Sequence, residues 1–158
     1  MKIVIGADKA GYDLKEAVVA HLTTNSHEIT DLGPDSGDQM VSFVEVADKL
    51  SEIIASGNAE RGILICGTGM GMALTANKHK GIYAAVVESV YAARLSRLIN
   101  NANVLCVGGF IVANKLAADI VDVFLETEFL QDFQQWRVDF LTSQMGLLKK
   151  VENRNFKE

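Results

Sequence analysis

Five short apolar runs, each followed by residues with helical spacing, constrain this chain more than any other feature of its sequence. The runs are Lys2 to Ala7, Glu28 to Leu32, Arg61 to Cys66, Ile82 to Val87 and Val104 to Gly108. Near-continuous apolar character is what a strand carries when both faces of its sheet are covered. Between the runs, Leu14, Val18 and Leu22 recur at every fourth residue. Phe43, Val46, Ala47, Leu50, Ile53 and Ile54 mark the apolar face of a second helix, which Gly57 stops. Gly69 to Lys78 predicts a buried helix, and Val90 to Asn100 a helix with Tyr91, Leu95 and Leu98 on one side. Leu116, Ile120, Val123 and Phe124 mark the next. This alternation, with right-handed crossovers, predicts an α/β fold: a doubly wound three-layer sandwich around a five-stranded parallel sheet. Phe133, Trp136, Phe140, Leu147, Leu148 and Val151 add an extended C-terminal helix at about 132–151, with a charged, frayed tail at 152–158. Its aromatic load leaves two destinations open, a partner subunit or its own sheet.

The 158 residues contain no internal repeat, and Pro34 is the only proline, so one domain spanning 1–158 is expected. A net charge of -5 offers no general basic field to nucleic acid or an anionic membrane surface. Any anion site must therefore be local. No apolar run approaches the roughly 20 residues of a membrane span. Lys2-Ile3-Val4-Ile5 leads straight into a strand without signal-peptide architecture. Cys66 and Cys106 make neither a disulfide framework nor a zinc site, so a cytoplasmic setting is expected.

The chemistry concentrates in Gly62-Ile63-Leu64-Ile65-Cys66-Gly67-Thr68-Gly69-Met70-Gly71-Met72-Ala73. It reads as a strand, a glycine-rich turn and a helix start, where backbone N–H groups and the helix dipole attract negative charge. Ligands of such sheets bind at the carboxyl ends of strands, where Asp8, Cys66, Glu88 and Gly108-Gly109 fall. The turn lacks the Lys-[Ser/Thr] of a P-loop, which argues against phosphoryl transfer. Its glycine spacing and its place after the third strand also depart from a dinucleotide site. Cys66 keeps two roles open, a core thiol or a reactive group beside an anion cradle. His21, His27 and His79 lie away from the strand ends, which weakens a Cys-His hydrolase. Proton abstraction next to a carbonyl, with N–H groups stabilising an enediolate, fits better. Asp8 reads equally as a helix N-cap or a substrate contact. Lys9 is a solvated side chain unless it meets substrate. Cys106 reads as core, Arg94 and Arg97 as surface charges, and Arg137 as an anion ligand or a surface ion pair.

Three blocks resemble ribose-5-phosphate isomerase type B. They are Met1-Lys2-Ile3-Val4-Ile5-Gly6-Ala7-Asp8-Lys9-Ala10-Gly11-Tyr12-Asp13-Leu14-Lys15, then Gly62 through Lys78, then Asn100-Asn101-Ala102-Asn103-Val104-Leu105 with Gly108-Gly109. The family also includes galactose-6-phosphate isomerase subunits and isomerases of four-carbon sugar phosphates. The resemblance runs over roughly residues 1 to 140. It implies a Rossmann-like or flavodoxin-like sandwich and a homodimer or tetramer with sites at subunit interfaces. It implies aldose–ketose isomerisation of a sugar phosphate through a cis-enediolate, with no metal and no cofactor. By position, Cys66 is the implied base and Thr68 its helper. The N–H groups of Gly67, Gly69, Met70 and Gly71 are the implied cradle. Asp8, Lys9, Asn100 and Arg137 are the implied substrate contacts.

The chain departs from the family pattern at named places. Lys9 replaces a histidine, Ile99 the histidine implicated in ring opening, and Phe110 an expected arginine. Phe133 and Gln134 stand where an arginine and a histidine are expected, and Ser42-Phe43-Val44 replaces Asp-Tyr-Pro. The base and cradle match, while ring opening and phosphate clamping do not. The expectation is an isomerase of the ribose 5-phosphate type or of another sugar phosphate. The alternatives are a galactose-6-phosphate isomerase subunit, a tetrulose-phosphate isomerase, or a non-catalytic sugar-phosphate-binding subunit.

Overall fold

The computed structural model describes residues 1–25 and 27–156. Strands β1 (Lys2–Ala7), β2 (Glu28–Asp31), β3 (Arg61–Cys66), β4 (Ala84–Val86) and β5 (Val104–Gly108) form one parallel sheet in the order β2-β1-β3-β5-β4. The three central strands are the most apolar, and Val4, Ile5, Ile63, Leu64, Leu105 and Cys106 are fully buried. The helices are α1 (Tyr12–Thr23), α2 (Phe43–Ala55), α3 (Met70–Ala76), α4 (Val90–Leu98), α5 (Asn114–Glu126) and α6 (Gln135–Asn155). One face of the sheet packs on α1 and α5 through Val18, Leu22, Ile120 and Phe124. The other packs on α2 and α3 through Leu50, Ile54, Met72 and Ala76. This is the doubly wound sandwich the strand–helix alternation predicts.

The strand order decides where a ligand can sit. From β1 the chain steps outward to β2, then returns to place β3 on the other side of β1. The carboxyl ends of β1 and β3 therefore flank the topological switch point, where connections diverge and leave a crevice. The last two strands exchange places relative to the 2-1-3-4-5 flavodoxin order, so β4 is an edge strand. The strand itself is Ala84–Val86, and backbone bonds with the β5 side continue at Tyr83 and Val87, along most of the apolar run over 82–87. Side-chain amides add bonds to the start of β4 and the segment before it. Asn77 bonds both the N–H and the carbonyl of Ala84, and Asn103 bonds the Tyr83 N–H and the Gly81 carbonyl.

Helix α4 presents a face different from the one its apolar spacing suggests. Tyr91 is 72% exposed, whereas Ala93, Ser96, Arg97 and Leu98 are buried. Arg97 is thus a core residue rather than a surface charge. Its Nε donates to the Thr127 carbonyl, and one terminal nitrogen donates to the Ala102 carbonyl at 2.6 Å and to Asn101 Oδ1 at 3.0 Å. These acceptors make burial of the guanidinium tolerable. Burial, with the Arg61 charge second, still lowers its pKa to about 10.

Helix α6 continues past 151 to Asn155, so part of the expected frayed tail is helical. Glu152 explains the extension. Its carboxylate accepts from the Gly81 N–H at 2.6 Å and from the Tyr83 hydroxyl at 3.1 Å, which pins the helix beside β4. Residues 157–158 of that tail lie outside the described residues. Leu141 is the one buried residue of α6 among the described residues, while Trp136, Phe140 and Leu147 are exposed.

Candidate active site

Cys66 is the last residue of β3, and its side chain faces the α2–α3 side of the sheet. The chain must then turn sharply to begin α3. Gly69 makes that turn with φ of 76°, a left-handed conformation that disfavours any side chain. The turn brings the Gly69 N–H to 3.0 Å from Cys66 Sγ. An N–H···S contact of this kind strengthens as the sulfur gains negative charge. The sulfur is nearly buried yet opens into a cavity of about 320 Å³ lined also by Asp8, Ala10, Thr68 and Phe110. Cys106, on the neighbouring strand β5, is wholly buried, and burial pushes its thiol far up.

The rest of the cradle divides by hydrogen bonding. Thr68 Oγ1 accepts the Met70 N–H at 3.3 Å. The N–H groups of Gly67 and Gly71, both lining the cavity, have no hydrogen-bond partner among the described residues. They are the donors left available to an anionic oxygen. Asp8 follows β1 and lines the same cavity. Its Oδ1 accepts the Gly11 N–H at 3.0 Å, so the capping role is filled and the second carboxylate oxygen is left over. Its backbone N–H donates to the Ile65 carbonyl, which ties the end of β1 to β3.

The structure does not bring every sequence candidate to this cavity. Lys9 is exposed in a short turn between two lining residues but does not itself line the cavity. Asn100 is exposed just after α4, and Glu88 is exposed beyond β4. Arg137 is the third residue of α6, with its guanidinium carbon 4.1 Å from the Phe133 ring centre. Asn100, Glu88 and Arg137 are absent from the cavity wall.

One wall residue was not legible as a site residue. Phe43 satisfies the apolar spacing of α2, which assigned it to the core, yet it is 41% exposed and lines the cavity. It occupies the first residue of α2, beyond the part that packs on the sheet. Phe110 stands where the resemblance expects an arginine of the site, and it too lines the cavity. Its position just after Gly108-Gly109, at the carboxyl end of β5, is the signal that places it here.

The family model described as Ribose/Galactose Isomerase matches residues 3–141. The chain belongs to the ribose/galactose isomerase family. A relative named 4-deoxy-4-sulfo-D-erythrose isomerase, from Clostridium sp. (strain MSTE9), is 44% identical over 158 residues, covering 100% of this chain and 99% of the relative. The D-erythrulose-4-phosphate isomerase 2 of Mycolicibacterium smegmatis is 43% identical over 131 residues, 82% of this chain and 86% of that one. The solved ribose-5-phosphate isomerase B of Clostridium thermocellum superposes with a TM-score of 0.89 at 37% identity, covering 98% of this chain and 99% of that one. The relatives are named as isomerases of a sulfo-sugar and of sugar phosphates, and the fold here is that of the solved ribose-5-phosphate isomerase B.

Proposed function

We propose that the chain interconverts the aldose and ketose forms of a four-carbon, open-chain sugar ending in phosphate or sulfonate, with Cys66 as the carbon base. The observation that carries this reading is the Cys66 sulfur, held 3.0 Å from the Gly69 N–H at the floor of the switch-point cavity. The Cys66 thiolate removes the proton from C2 of the aldose, and the electron pair moves through C1–C2 onto the carbonyl oxygen. The resulting enediolate takes the unpaired N–H groups of Gly67 and Gly71 as donors. Thr68 positions the hydroxyls. Cys66 then returns the proton to C1 while the O2 proton passes to O1, which leaves a ketone at C2. No oxidant, reductant or co-reactant is consumed.

The four-carbon assignment rests on what the cavity wall offers. Asp8 and Cys66 are its titratable side chains, and Asp8 already caps a turn. Opening a furanose needs one group to give a proton to the ring oxygen and another to take one from O1. A tetrose whose C4 carries phosphate or sulfonate has no free O4 and cannot close a furanose, so it needs no ring opener. The relatives named for sulfoerythrose and erythrulose phosphate support the same choice.

Asn100 and Arg137 act in this reading from a second copy of the chain, Arg137 toward the terminal anion. Their separation from the cavity and the exposed aromatic side of α6 support it. Lys9 meets substrate from the rim. The unbridged thiols accord with a cytoplasmic setting. The deciding experiment screens four-, five- and six-carbon sugar phosphates and sulfonates for isomer formation in deuterated water. Deuterium at C1 or C2 of the four-carbon product, lost in Cys66→Ala, is the expected outcome. Full activity of Cys66→Ala overturns the base assignment. Binding without turnover would favour a non-catalytic subunit. Mixing Cys66→Ala with Arg137→Ala tests the shared site, because only mixed dimers would regain activity.

A further inference from the structure

The isomerase chemistry uses the thiol and the cradle but leaves two phenyl rings over them unexplained. Both rings rest on glycines of the cradle. A Cβ built on Gly67 would lie 2.6 Å from Cε2 of Phe110, and one on Gly71 would lie 2.7 Å from Cε2 of Phe43. The glycines therefore give the rings room to lie against main chain. Phe110 is held there by backbone bonds. Its N–H donates to the Gly67 carbonyl at 3.0 Å, and the Gly109 N–H donates to the Cys66 carbonyl at 2.7 Å. The loop after β5 is thus fastened to the turn after β3. Yet Phe110 is 76% exposed, so it does not stand there to build the core.

We infer that Phe110 and Phe43 are specificity-determining residues that form an apolar slot over Cys66, admitting an extended four-carbon chain and excluding a five-carbon furanose. This rests on the isomerase reading of Cys66. Phenyl faces pack well against the C–H edges of an extended carbon chain and offer no partner to hydroxyls. A furanose pressed between them would bury hydroxyls that lose water and gain nothing. Such unpaired polar groups discriminate between substrates far more strongly than an added methylene does. The slot also narrows the approach to Cys66 from two sides, Phe110 from the β5 loop and Phe43 from the start of α2. An arginine or a tyrosine at these places would bring donors to the same spot. The two phenylalanines offer no such donors, and so select against the ring.

The test compares kcat/KM for D-erythrose 4-phosphate and D-ribose 5-phosphate in the full chain and in Phe110→Ala, Phe43→Ala and Phe110→Leu. Circular dichroism and light scattering accompany each variant to confirm fold and assembly. The unaltered chain should prefer the four-carbon substrate. Each alanine variant should move the ratio toward ribose 5-phosphate by about tenfold or more, chiefly through KM for the larger sugar. Phe110→Leu, which keeps bulk and apolarity, should stay close to the unaltered ratio. An unchanged ratio in both alanine variants would overturn the slot, as would a shift seen only when the assembly dissociates. Failure of the isomerase reading looks different: the unaltered chain would turn over neither sugar and would exchange no deuterium, and the slot would fall with it.

Discussion

The Gly69 N–H and the Cys66 sulfur stand 3.0 Å apart because a left-handed glycine folds the chain back on the end of its own strand. Both the position of the thiol and the start of α3 depend on that one conformation. Gly69→Ala should cost about 1–2 kcal/mol from the left-handed backbone alone. The added Cβ would also lie 3.1 Å from the Val107 backbone. Denaturant titration measures the stability loss. Isomerase activity should fall by more than the unfolded fraction accounts for, because the N–H on the sulfur shifts with the turn.

The two thiols should separate cleanly by reactivity. Cys66 opens into the cavity, whereas Cys106 is fully buried, with burial pushing its thiol far up. Iodoacetamide should alkylate Cys66 alone in the folded protein and both cysteines after denaturation. Peptide mass spectrometry reads the sites. Modification of Cys106 before Cys66 would contradict the structure.

Arg97, which does not line the cavity, offers a stability test. Arg97→Met keeps much of the side-chain bulk but strands the Thr127 and Ala102 carbonyls that now accept from the guanidinium. A loss of about 1–3 kcal/mol is expected for leaving buried acceptors unsatisfied. Arg97→Lys should recover only part of it, since an ammonium cannot reproduce the fork. Thermal or urea unfolding distinguishes the two variants.

Tyr83 should make stability fall at alkaline pH. Burial, then the Glu152 charge and hydrogen bond, raises its phenol from 10.0 to about 12. Below pH 10 the phenol is neutral in both folded and unfolded chains, and the contribution is fully present. Between pH 10 and about 12 the unfolded chain ionises first, so stability is lost as pH rises. The drop in unfolding midpoint from pH 9 to pH 11 should be smaller in Tyr83→Phe than in the unaltered protein. Equal drops would show that Tyr83 contributes nothing to it.

Much of the architecture was legible because it follows from local pattern. The β3 boundaries match the apolar run, and α2 follows its apolar spacing up to the stop at Gly57. The Cys66-to-Gly71 turn was legible for a similar reason, since the sharp turn into α3 needs the left-handed backbone that Gly69 supplies. Elements whose state depends on distant partners were less legible. Arg97 looked like a surface charge because its acceptors come from residues 102 and 127, which helix spacing does not reveal. Glu152 looked like a frayed tail because its partners, Gly81 and Tyr83, lie some seventy positions earlier (sequence separations of 71 and 69).

The sequence by itself determined the α/β alternation, the thiol at a strand end and the glycine turn that follows it. Each depends on the chemistry of adjacent residues, so each is written locally. The strand order decided the rest. By setting β3 against β1 and β5 against β3, it brings Asp8, Cys66 and Phe110 to one crevice from three separate strand ends. Only that packing brings the rings of Phe43 and Phe110 to the wall of one cavity. A side chain's role there depends on which backbone it lies against, and nonlocal sheet pairing sets that.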